Sequence, residues 1–362
     1  MSRTLSVHQD GRDIYDIVLD TSFDRLSAEV EKLAVEGRRV CIVTDSTVAE
    51  LYLSEVRDIF KECCGEIVVF TFQAGEARKN LETVQQLYET LIRRHFDRKD
   101  WLVALGGGVV GDLCGYAAAT YLRGVSFIQI PTTLLAQVDS SIGGKTGVDF
   151  ASYKNMVGAF HMPSLVYTNV STLKTLSQEQ YSSGMGEVIK HGLIQDREYY
   201  GWIQAHREEI GNREEEVCLE MIARSDEIKR RVVEEDPKEQ GARALLNFGH
   251  TLGHALEKQL SFSMLHGHCV GLGSIGAVKM SVDRGYLPKD AVETLKDLME
   301  ALRMPVSVGG VDGEMVIGDT KSDKKMDGGA IRFILLRGIG QAAVDRTVTE
   351  DEMRAGLSAV LQ

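Results

Sequence analysis

The sequence has no excess of positive charge and few prolines. Lys and Arg number 41 against 53 Asp and Glu, which gives a formal net charge of −12, and only 5 of the 362 residues are proline. Non-specific binding of nucleic acids depends on neutralising phosphates, so we expect no nucleic-acid partner. The few prolines mark no obvious linker between domains, and no internal repeat or low-complexity tract is present.

Signals for a membrane or an oxidising compartment are also missing. No stretch reaches the ~18 consecutive apolar residues of a membrane-spanning helix, and the first residues, MSRTLSVHQDGRD, lack the apolar core of a signal peptide. The six cysteines include no CxxC pair, and some lie in apolar runs such as VCIVTD. We therefore expect reduced thiols, a cytoplasmic location and no membrane role.

The composition is that of a globular protein with large buried cores. Apolar residues make up 43% of the chain and charged residues 26%, which excludes disordered and fibrous classes. Single hydrophobic cores stop growing near about 250 to 300 residues. A chain of 362 residues is therefore predicted to form two domains.

The two halves of the chain differ in their hydrophobic patterning. Short β-type runs alternate with helical patterns before residue 175, which predicts a mostly parallel sheet covered by helices. The predicted strands are IYDIVL (14–19), RVCIVTD (39–45), EIVVFTF (66–72), WLVALG (101–106), VSFIQIP (125–131) and LVYTNV (165–170). The interpretation is a Rossmann-like α/β domain over residues 1–175.

Beyond residue 175 long amphipathic segments dominate, at 214–235, 244–260, 268–285 and 290–303. They predict a mainly α-helical domain over residues 176–362, with an active site in the cleft between the two domains. Near the end, the turn Asp327-Gly328 precedes the alternating strand pattern AIRFILL. Thr349 and Glu352 have the spacing of a capping box for a last helix.

A glycine-rich turn in the first half is typical of a phosphate-binding site. Gly106, Gly108 and Gly111 follow the strand WLVAL and precede a helical pattern, so backbone N–H groups can approach a pyrophosphate there. The acidic residue expected about 20 positions later for the ribose is absent. Asp45, at the end of an earlier strand, is a candidate for that role, and a helix N-cap is an equally good interpretation of it.

Six of the nine histidines lie between residues 191 and 268, and five of them, all but His206, fall in the motifs described next. Arg243, Asn247, His250 and His254 are spaced so that one helix would place all four along one stripe. Such a stripe is costly to bury without partners, whereas an exposed polar face is the alternative interpretation.

A second group of residues extends this cluster. Glu187, Lys190 and His191 share a helical face in GMGEVIKHGL, and LHGHC contains His266 and His268. Imidazoles with a carboxylate suit zinc, cobalt or iron at a catalytic site. Spacing alone leaves the ligand set open. The candidate sets are His250 and His254 with Glu187 or Glu257, or else His250 and His266 with Glu187.

Basic and amide side chains accompany these segments. Lys145, Lys154 and Asn155 lie in a glycine-rich stretch between the two halves, and the second half has three further cations, Lys190, Lys229 and Arg243. Cations beside neutral hydrogen-bonding groups can hold a phosphate and a carboxylate. Each of them taken singly is equally well a solvated surface charge.

Taken together, these segments resemble the 3-dehydroquinate synthase family of the sugar phosphate cyclase superfamily. The resemblance runs through nearly the whole chain. Its motifs are ALGGGVVGDLCGYAAATYLRG, IPTTLLAQVDSSIGGKTGVD, YKNMVGAFH, SSGMGEVIKHG, RALLNFGHTLGHALE and LHGHCVGLG. It implies conversion of 3-deoxy-D-arabino-heptulosonate 7-phosphate to 3-dehydroquinate and phosphate in the shikimate pathway. NAD would act catalytically beside a divalent metal, zinc or cobalt.

The resemblance also implies roles for individual residues. Metal ligands would be Glu187, His250 and His266. The positions matching substrate contacts are Arg123, Asp139, Lys145, Asn155, Lys190, Lys229, Arg243, Asn247, His254 and Lys324 or Lys325. The positions matching NAD contacts are Asp45, Glu76, Lys79, Gly107, Gly108, Asp112, Thr132, Thr133, Lys145, Lys154 and Thr175. Arg123 would reach in from a partner subunit, which implies a homodimer.

The chain departs from the family pattern at a few positions. His268 stands where Glu is usual beside the ligand His266, Thr47 replaces an Asn, and Asp149 and Tyr153 replace an Asn and a Gly. None of these removes an implied ligand. The alternative functions are a different sugar phosphate cyclase, acting on glucose 6-phosphate or sedoheptulose 7-phosphate, a metal-dependent polyol dehydrogenase, and a non-catalytic nucleotide-binding protein.

Overall fold

A computed structural model describes residues 2–151, 153–239, 241–324 and 332–362 of the chain. It separates into two compact units, Met1–Thr175 and Leu176–Gln362. The predicted turn Asp327-Gly328 lies outside the described residues. Within the described residues, no helix has the length and apolar character needed to cross a membrane.

The first unit is built on a seven-stranded sheet. Its strands run in the order β1-β2-β9-β6-β5-β3-β4, with β1 antiparallel to β2 and the remaining neighbours parallel. The sheet strands are β1 (Arg3–Gln9), β2 (Arg12–Asp20), β3 (Arg39–Asp45), β4 (Glu66–Phe72), β5 (Trp101–Gly106), β6 (Ser126–Pro131) and β9 (Leu165–Asn169), and the separate hairpin strands are β7 (Lys145–Phe150) and β8 (Tyr153–Phe160). The six predicted strands and the α/β class are confirmed.

Helices cover both faces of this sheet. They are α1 (Leu26–Glu31), α2 (Ser46–Val48), α3 (Ser54–Cys63), α4 (Leu81–Arg93) and α5 (Gly108–Thr120). One core joins α1 and α3 to the sheet through side chains such as Val30 and Phe60, and the other joins α4 and α5 through Leu87 and Leu113. The alternating side chains of the inner strands are therefore buried on both faces, which explains their continuous apolar runs.

The second unit is mainly helical, as predicted. Its helices are α6 (Gln178–Gln195), α7 (Arg197–Ala205), α8 (Arg207–Gly211), α9 (Glu215–Glu235), α10 (His250–Gln259), α11 (His266–Asp283), α12 (Ala291–Ala301), α13 (Gly313–Lys324) and α14 (Glu350–Ser358). An antiparallel hairpin, β10 (Phe333–Gly338) and β11 (Gln341–Asp345), completes it. The FILL portion of the predicted strand AIRFILL lies in β10, and its first two residues lie outside the described residues.

The helix predicted over residues 244–260 is wrong in its first half. Ala242–Asn247 forms a 3₁₀ turn, and α10 begins only at His250. Gly249 between them has φ of +77°, and a Cβ there would lie 2.4 Å from Ser274 Oγ. The backbone turns at this glycine because α10 approaches α11 closely. His250 and His254 share a helix, but Arg243 and Asn247 do not extend its stripe.

The predicted capping box at the start of α14 is confirmed. The Thr349 hydroxyl accepts from Glu352 N, and the Glu352 carboxylate accepts from Thr349 N at 2.7 Å. Arg284 also donates to both carboxylate oxygens of Glu352. The hydrogen bonds from Arg284, followed by those from Thr349, lower the pKa of Glu352 from 4.5 to about 2 against the effect of burial.

Glu352 is therefore expected to make folding stability depend on acid pH. Its pKa is lower in the folded state, so its contribution is present above about 4.5 and is lost as the pH falls towards 2. Urea unfolding of wild type and Glu352→Gln at several pH values measures this contribution. The difference in unfolding free energy between the two proteins should shrink as the pH falls from about 4.5 towards 2. Glu300→Gln, at an exposed position of α12, is the control. A difference that does not change with pH would contradict the prediction.

Candidate active site

The glycine-rich turn joins β5 to α5 at the carboxyl end of the sheet. Gly107 is extended and precedes the first helical residue, Gly108. A Cβ on Gly107 would lie 2.9 Å from Thr133 Cγ2, and one on Gly108 would lie 3.1 Å from Ser140 Oγ. The glycines thus allow the segment after β6 to approach the start of α5. Backbone N–H groups at such a helix start suit an anionic ligand.

Asp45 ends β3 at the same edge of the sheet. Its Oδ1 accepts from Thr47 N at 2.9 Å and from Val48 N at 3.0 Å, so it caps α2. The N-cap interpretation is therefore correct, and it leaves the second oxygen, Oδ2, available for a ribose hydroxyl. Thr47, one of the departures from the family pattern, is exposed beside it.

Other predicted nucleotide contacts lie at the carboxyl ends of neighbouring strands. Thr132 and Thr133 follow β6, and Thr132 N donates to Gly106 O at 3.0 Å. Thr175 ends the 3₁₀ turn that follows β9, and its hydroxyl hydrogen-bonds to Tyr52. Ligands bind at this edge in open parallel sheets, so the strand order brings these segments together as the sequence interpretation required.

A buried ion pair links the turn that precedes α4 to helix α5. Lys79 is 4% exposed, and its Nζ lies 2.6 Å from Asp112 Oδ2 and 4.0 Å from Glu76 Oε1. Burial lowers the pKa of Lys79, but the carboxylates of Asp112 and Glu76 outweigh this effect, and the net pKa is raised. Lys79 also donates to Asn155 Oδ1 at 2.5 Å. Four predicted site residues therefore form one network.

The glycine-rich stretch with Lys145 and Lys154 forms a hairpin, β7 and β8, for which no strands were predicted from the sequence. Both lysines are exposed. Asn155 has φ of +53°, and its N–H donates to Asp149 Oδ1 at 2.8 Å. Asp149 replaces the usual Asn, and here its carboxylate holds the backbone of Asn155. Tyr153, another departure, is exposed at the start of β8.

Three imidazoles of the second unit meet in one place. His250 and His254 lie one turn apart on α10, and His266 is the first residue of α11. One ring nitrogen from each lies within 4.8 Å of the other two, and the ring centroids are 5.1 to 5.6 Å apart. This is a geometry in which imidazole nitrogens can share a cation.

Two of these rings are oriented by hydrogen bonds at Nδ1. His250 Nδ1 lies 3.1 Å from Phe248 O, and His266 Nδ1 lies 3.3 Å from Glu257 Oε2. A protonated Nδ1 leaves the Nε2 lone pair of each ring for a metal, and a carboxylate or carbonyl partner is the usual support of a ligating histidine. Glu257 was one of the candidate ligands in the sequence. In the structure it contacts Nδ1 of His266, the ring nitrogen that would face away from a metal bound at Nε2.

Glu187 brings a carboxylate to the same place from α6. Its side chain is 1% exposed, and Oε1 lies 3.8 Å from His250 Nε2. Among the described residues, none forms a hydrogen bond with Oε1, whereas Oε2 accepts from Lys190. A buried carboxylate oxygen with no donor is costly unless a cation meets it. The donor set of Glu187, His250 and His266 therefore fits a divalent metal.

The charge state of His250 agrees with this role. Burial lowers the pKa of His250 well below its ordinary value, and the Lys190 ammonium and the other two imidazoles lower it further. His250 is therefore neutral near pH 7, as a metal ligand must be.

The remaining predicted substrate contacts of the second unit lie on α9 and the 3₁₀ turn. Lys229 and Arg243 are buried, and Arg243 Nη1 donates to Pro237 O at 2.9 Å. Asn247 is exposed, and its amide donates to Glu239 Oε1 at 3.0 Å. Lys324 ends α13, but its side chain is not described, and Lys325 lies outside the described residues.

His268 lies on α11 where the family usually has Glu. It is 7% exposed, and its Nε2 lies 2.9 Å from Ser182 Oγ on α6. Next to it, a Cβ on Gly267 would lie 1.9 Å from Ser183 O, and one on Gly186 would lie 2.3 Å from Gly267 O. The backbones of α6 and α11 thus touch directly beside Glu187 and His266. This contact was not predicted from the sequence, in which the glycines of GMGE and LHGH are its only signal.

Comparison with known sequences gives one family for both units. Residues 69–183 match the family described as 3-dehydroquinate synthase N-terminal, and residues 184–326 match its C-terminal counterpart. The 3-dehydroquinate synthase of Acetivibrio thermocellus is 41% identical over 339 residues, 94% of each chain. That of Nitrosomonas europaea is 43% identical over 324 residues, 89% of this chain and 88% of its own.

Solved structures share the fold. A 2-epi-5-epi-valiolone synthase, ValA from Streptomyces hygroscopicus, with NAD+ and Zn2+ bound, has a TM-score of 0.88 and 27% identity over 98% of each chain. A 2-deoxy-scyllo-inosose synthase with carbaglucose-6-phosphate, NAD+ and Co2+ has a TM-score of 0.85 and 25% identity over 99% of this chain and 100% of its own. The butanol dehydrogenase of Thermotoga maritima, at 14% identity and a TM-score of 0.71, shares the fold alone. Since both units match one family and its members exceed 40% identity over most of their length, the chain belongs to the 3-dehydroquinate synthase family.

Proposed function

We propose that the chain converts 3-deoxy-D-arabino-heptulosonate 7-phosphate to 3-dehydroquinate and phosphate, as a phosphorus-oxygen lyase of the shikimate pathway and aromatic amino acid synthesis. The observation that carries this proposal is the buried Glu187 Oε1, which has no hydrogen-bond partner among the described residues and faces the oriented imidazole of His250. The reaction changes no net oxidation state, so NAD is used catalytically.

The two proposed cofactors are NAD and a divalent metal, zinc or cobalt. When bound, NAD would supply a hydride acceptor that is regenerated in each turnover, and the metal would supply a Lewis acid that polarises the oxygen of the carbinol undergoing oxidation. Glu187, His250 and His266 would hold the metal. The glycine turn and the residues matching family NAD contacts hold the nucleotide.

Cations of the second unit bind the substrate's anionic groups. The ammonium group of Lys190 donates one hydrogen bond to Glu187 Oε2, and its two other N–H groups can donate to a substrate oxygen. Lys229 and Arg243 are buried charges, and Arg243 is already oriented by Pro237 O. Asn247 and the exposed His254 add further hydrogen-bonding groups for the substrate. The departing phosphate can itself accept the proton that elimination releases, so the reaction requires no separate protein base.

Phosphate release is the decisive measurement. Metal-stripped protein is resupplied with zinc or cobalt and mixed with the heptulosonate phosphate and NAD at a concentration far below the substrate. We expect many phosphates released per NAD, 3-dehydroquinate as product and no net NADH. An absence of phosphate release with either metal would contradict the proposal.

The same assay separates the alternative functions. Glucose 6-phosphate and sedoheptulose 7-phosphate replace the substrate in parallel reactions and should release no phosphate, because the chain matches the dehydroquinate type at Lys229 and Asn247. A simple polyol with stoichiometric NAD should produce no NADH. Turnover of either sugar phosphate would favour another cyclase, and NADH accumulation would favour a dehydrogenase.

His254 is expected to act on the substrate and not on the metal. It is exposed, whereas His250 and His266 have the oriented Nδ1 atoms of ligands. His254→Ala should therefore keep bound metal near one per chain and raise KM by about tenfold, the effect of losing ~1.4 kcal/mol of binding. Metal analysis and steady-state kinetics measure both quantities. Loss of the metal from His254→Ala would instead support three imidazole ligands.

We also propose that the chain acts as a homodimer. The β7–β8 hairpin exposes large apolar side chains, among them Phe150 at 54%, Tyr153 at 59% and Phe160 at 54%. Arg123, the residue implied to act across subunits, is exposed next to Leu122, which is 39% exposed. Exposed apolar groups of this size are typical of an interface.

A cytoplasmic location of the protein accords with the six free thiols, five of them buried.

Sedimentation equilibrium tests the dimer. Wild type should sediment as a dimer, and Phe160→Asp should shift it to monomer while Ile92→Asp, an exposed apolar residue of α4 at 62%, should not. A wild-type monomer with full activity would contradict the proposal, as would a Phe160→Asp protein that remains fully dimeric.

A further inference from the structure

One buried amide connects three segments at the carboxyl end of the first unit's sheet. Gln137 lies on the π-helical segment Ala136–Ser140 and is fully buried. Its Nε2 lies 3.2 Å from Pro131 O, 3.2 Å from Asn169 O and 3.1 Å from Thr172 Oγ1. The two amide protons are thus shared among three acceptors from different parts of the chain.

The surroundings determine which way this amide points. Pro131 and Asn169 present carbonyl oxygens, which only accept. Thr172 Oγ1 donates its own hydrogen to Asn169 O at 2.8 Å, so it too presents a lone pair to Gln137. The opposite amide orientation would set oxygen against three acceptors. Nε2 is therefore the donor, and a side chain without N–H groups cannot replace it.

The two segments that the Gln137 amide joins are those that carry the proposed nucleotide contacts. Pro131 ends β6 and is followed directly by Thr132 and Thr133. Asn169 ends β9, and the 3₁₀ turn Val170–Lys174 leads to Thr175. Tyr52, from the π-helical segment Ala49–Leu53, reinforces the same turn by donating to Thr172 O at 3.4 Å.

The two strand ends need such a connection. β6 and β9 pair only at Ile128–Leu165 and Gln129–Val166, so their last residues diverge beyond the ladder. The gap between Pro131 and Asn169 is spanned by the Gln137 amide. Without this amide, no hydrogen bond would hold the carbonyls of Pro131 and Asn169, and the loops that follow them, at a fixed distance from each other.

We propose that Gln137 is a positioning residue for the nucleotide: it holds the Thr132-Thr133 segment and the turn before Thr175 at the spacing that NAD requires. This inference rests on the proposed use of NAD. Gln137 does not touch the cofactor in this assignment; it acts through the backbone of Pro131 and Asn169.

The test compares NAD binding with folding. Gln137→Met keeps the side-chain volume and removes the amide donors. We expect the NAD dissociation constant from isothermal titration to rise about tenfold or more, and KM for NAD to rise in parallel. At saturating NAD, kcat should stay within about threefold of wild type, because bound NAD restores the spacing.

Tyr121→Phe is the matched control. The Tyr121 hydroxyl donates to Phe96 O at 3.0 Å inside the same unit. Tyr121 precedes β6 and Phe96 precedes β5, so this hydrogen bond lies at the opposite edge of the sheet. The control loses one buried hydrogen bond as well, and its melting temperature should fall, but its NAD affinity should match wild type.

A second variant keeps the inference testable if Gln137→Met does not fold. Thr172→Val preserves shape and removes one of the three acceptors, so NAD binding should weaken by about threefold to tenfold. Unchanged NAD affinity in the folded variant, with only a lower melting temperature, would overturn the inference. Wild type that fails to bind NAD would instead contradict the proposed function, so the two failures are distinguishable.

Discussion

Replacing His250 with alanine is expected to remove the bound metal and to reduce turnover by about a thousandfold, which corresponds to ~4 kcal/mol of transition-state stabilisation. His250 Nε2 lies 3.8 Å from Glu187 Oε1, and His250 Nδ1 lies 3.1 Å from Phe248 O. Its ring and that of His266, whose Nδ1 lies 3.3 Å from Glu257 Oε2, are the two oriented imidazoles of this cluster among the described residues. Metal analysis after gel filtration and the phosphate-release assay measure the two effects.

Two further variants make this test specific. Glu187→Gln keeps the shape of the side chain and a hydrogen-bond acceptor for Lys190 but removes the charge, so it should lose metal as well. His206→Ala, at a histidine stacked on Trp202 away from the cluster, should retain both metal and activity. Unchanged metal content in both His250→Ala and Glu187→Gln would show that the ligands lie elsewhere.

Gly267→Ala is expected to destabilise the second unit by about 3 kcal/mol or more, at the upper end of overpacking effects. The new Cβ would lie 1.9 Å from Ser183 O, a backbone atom that no rotamer change can move away. α6 and α11 must separate to accept it, and Glu187 and His266 move apart with them. Metal affinity should fall together with stability.

Gly201→Ala provides the matched control for this glycine. Gly201 lies in α7, is exposed, and has no atom within 4 Å of a built Cβ. Alanine at such a helical position should stabilise the protein by about 0.5 to 1 kcal/mol. Urea unfolding of both variants measures the two free energies. Equal stability of Gly267→Ala and wild type would mean that the helices are not in backbone contact.

The inner strands of the first unit's sheet were predictable because they are buried on both sides. Short apolar runs such as RVCIVTD and WLVALG, bounded by glycine or charged residues, are typical of buried strands. The strands β3 and β5 match these two runs residue for residue. The β7–β8 hairpin was missed because its glycines resemble a loop. A Cβ on Gly115 of α5 would meet Thr146 Cγ2 at 2.4 Å, so close packing under α5, and not strand propensity, determines this hairpin.

The histidine cluster was predictable in its residue types but not in its geometry. Histidine spacing pointed to α10, yet the stripe was extended too far because the sequence does not reveal that Gly249 has φ of +77°. Which nitrogen of His250 faces outward depends on a backbone carbonyl, Phe248 O. That Glu257 supports His266 instead of binding beside it depends on how α10 meets α11.

The sequence alone determined an α/β unit followed by a helical one, together with the candidate ligands. The features that did so are the acidic composition with few prolines, the alternating strands of the first half and the glycine turn. These features are local, since each depends on residues close together in the chain. Only the tertiary structure decided that Glu187 Oε1 faces His250 and that one amide of Gln137 joins two strand ends. The contacts of Glu187 with His250 and of Gln137 with Asn169 join residues tens of positions apart, and their geometry is set by the packing of whole helices and strands.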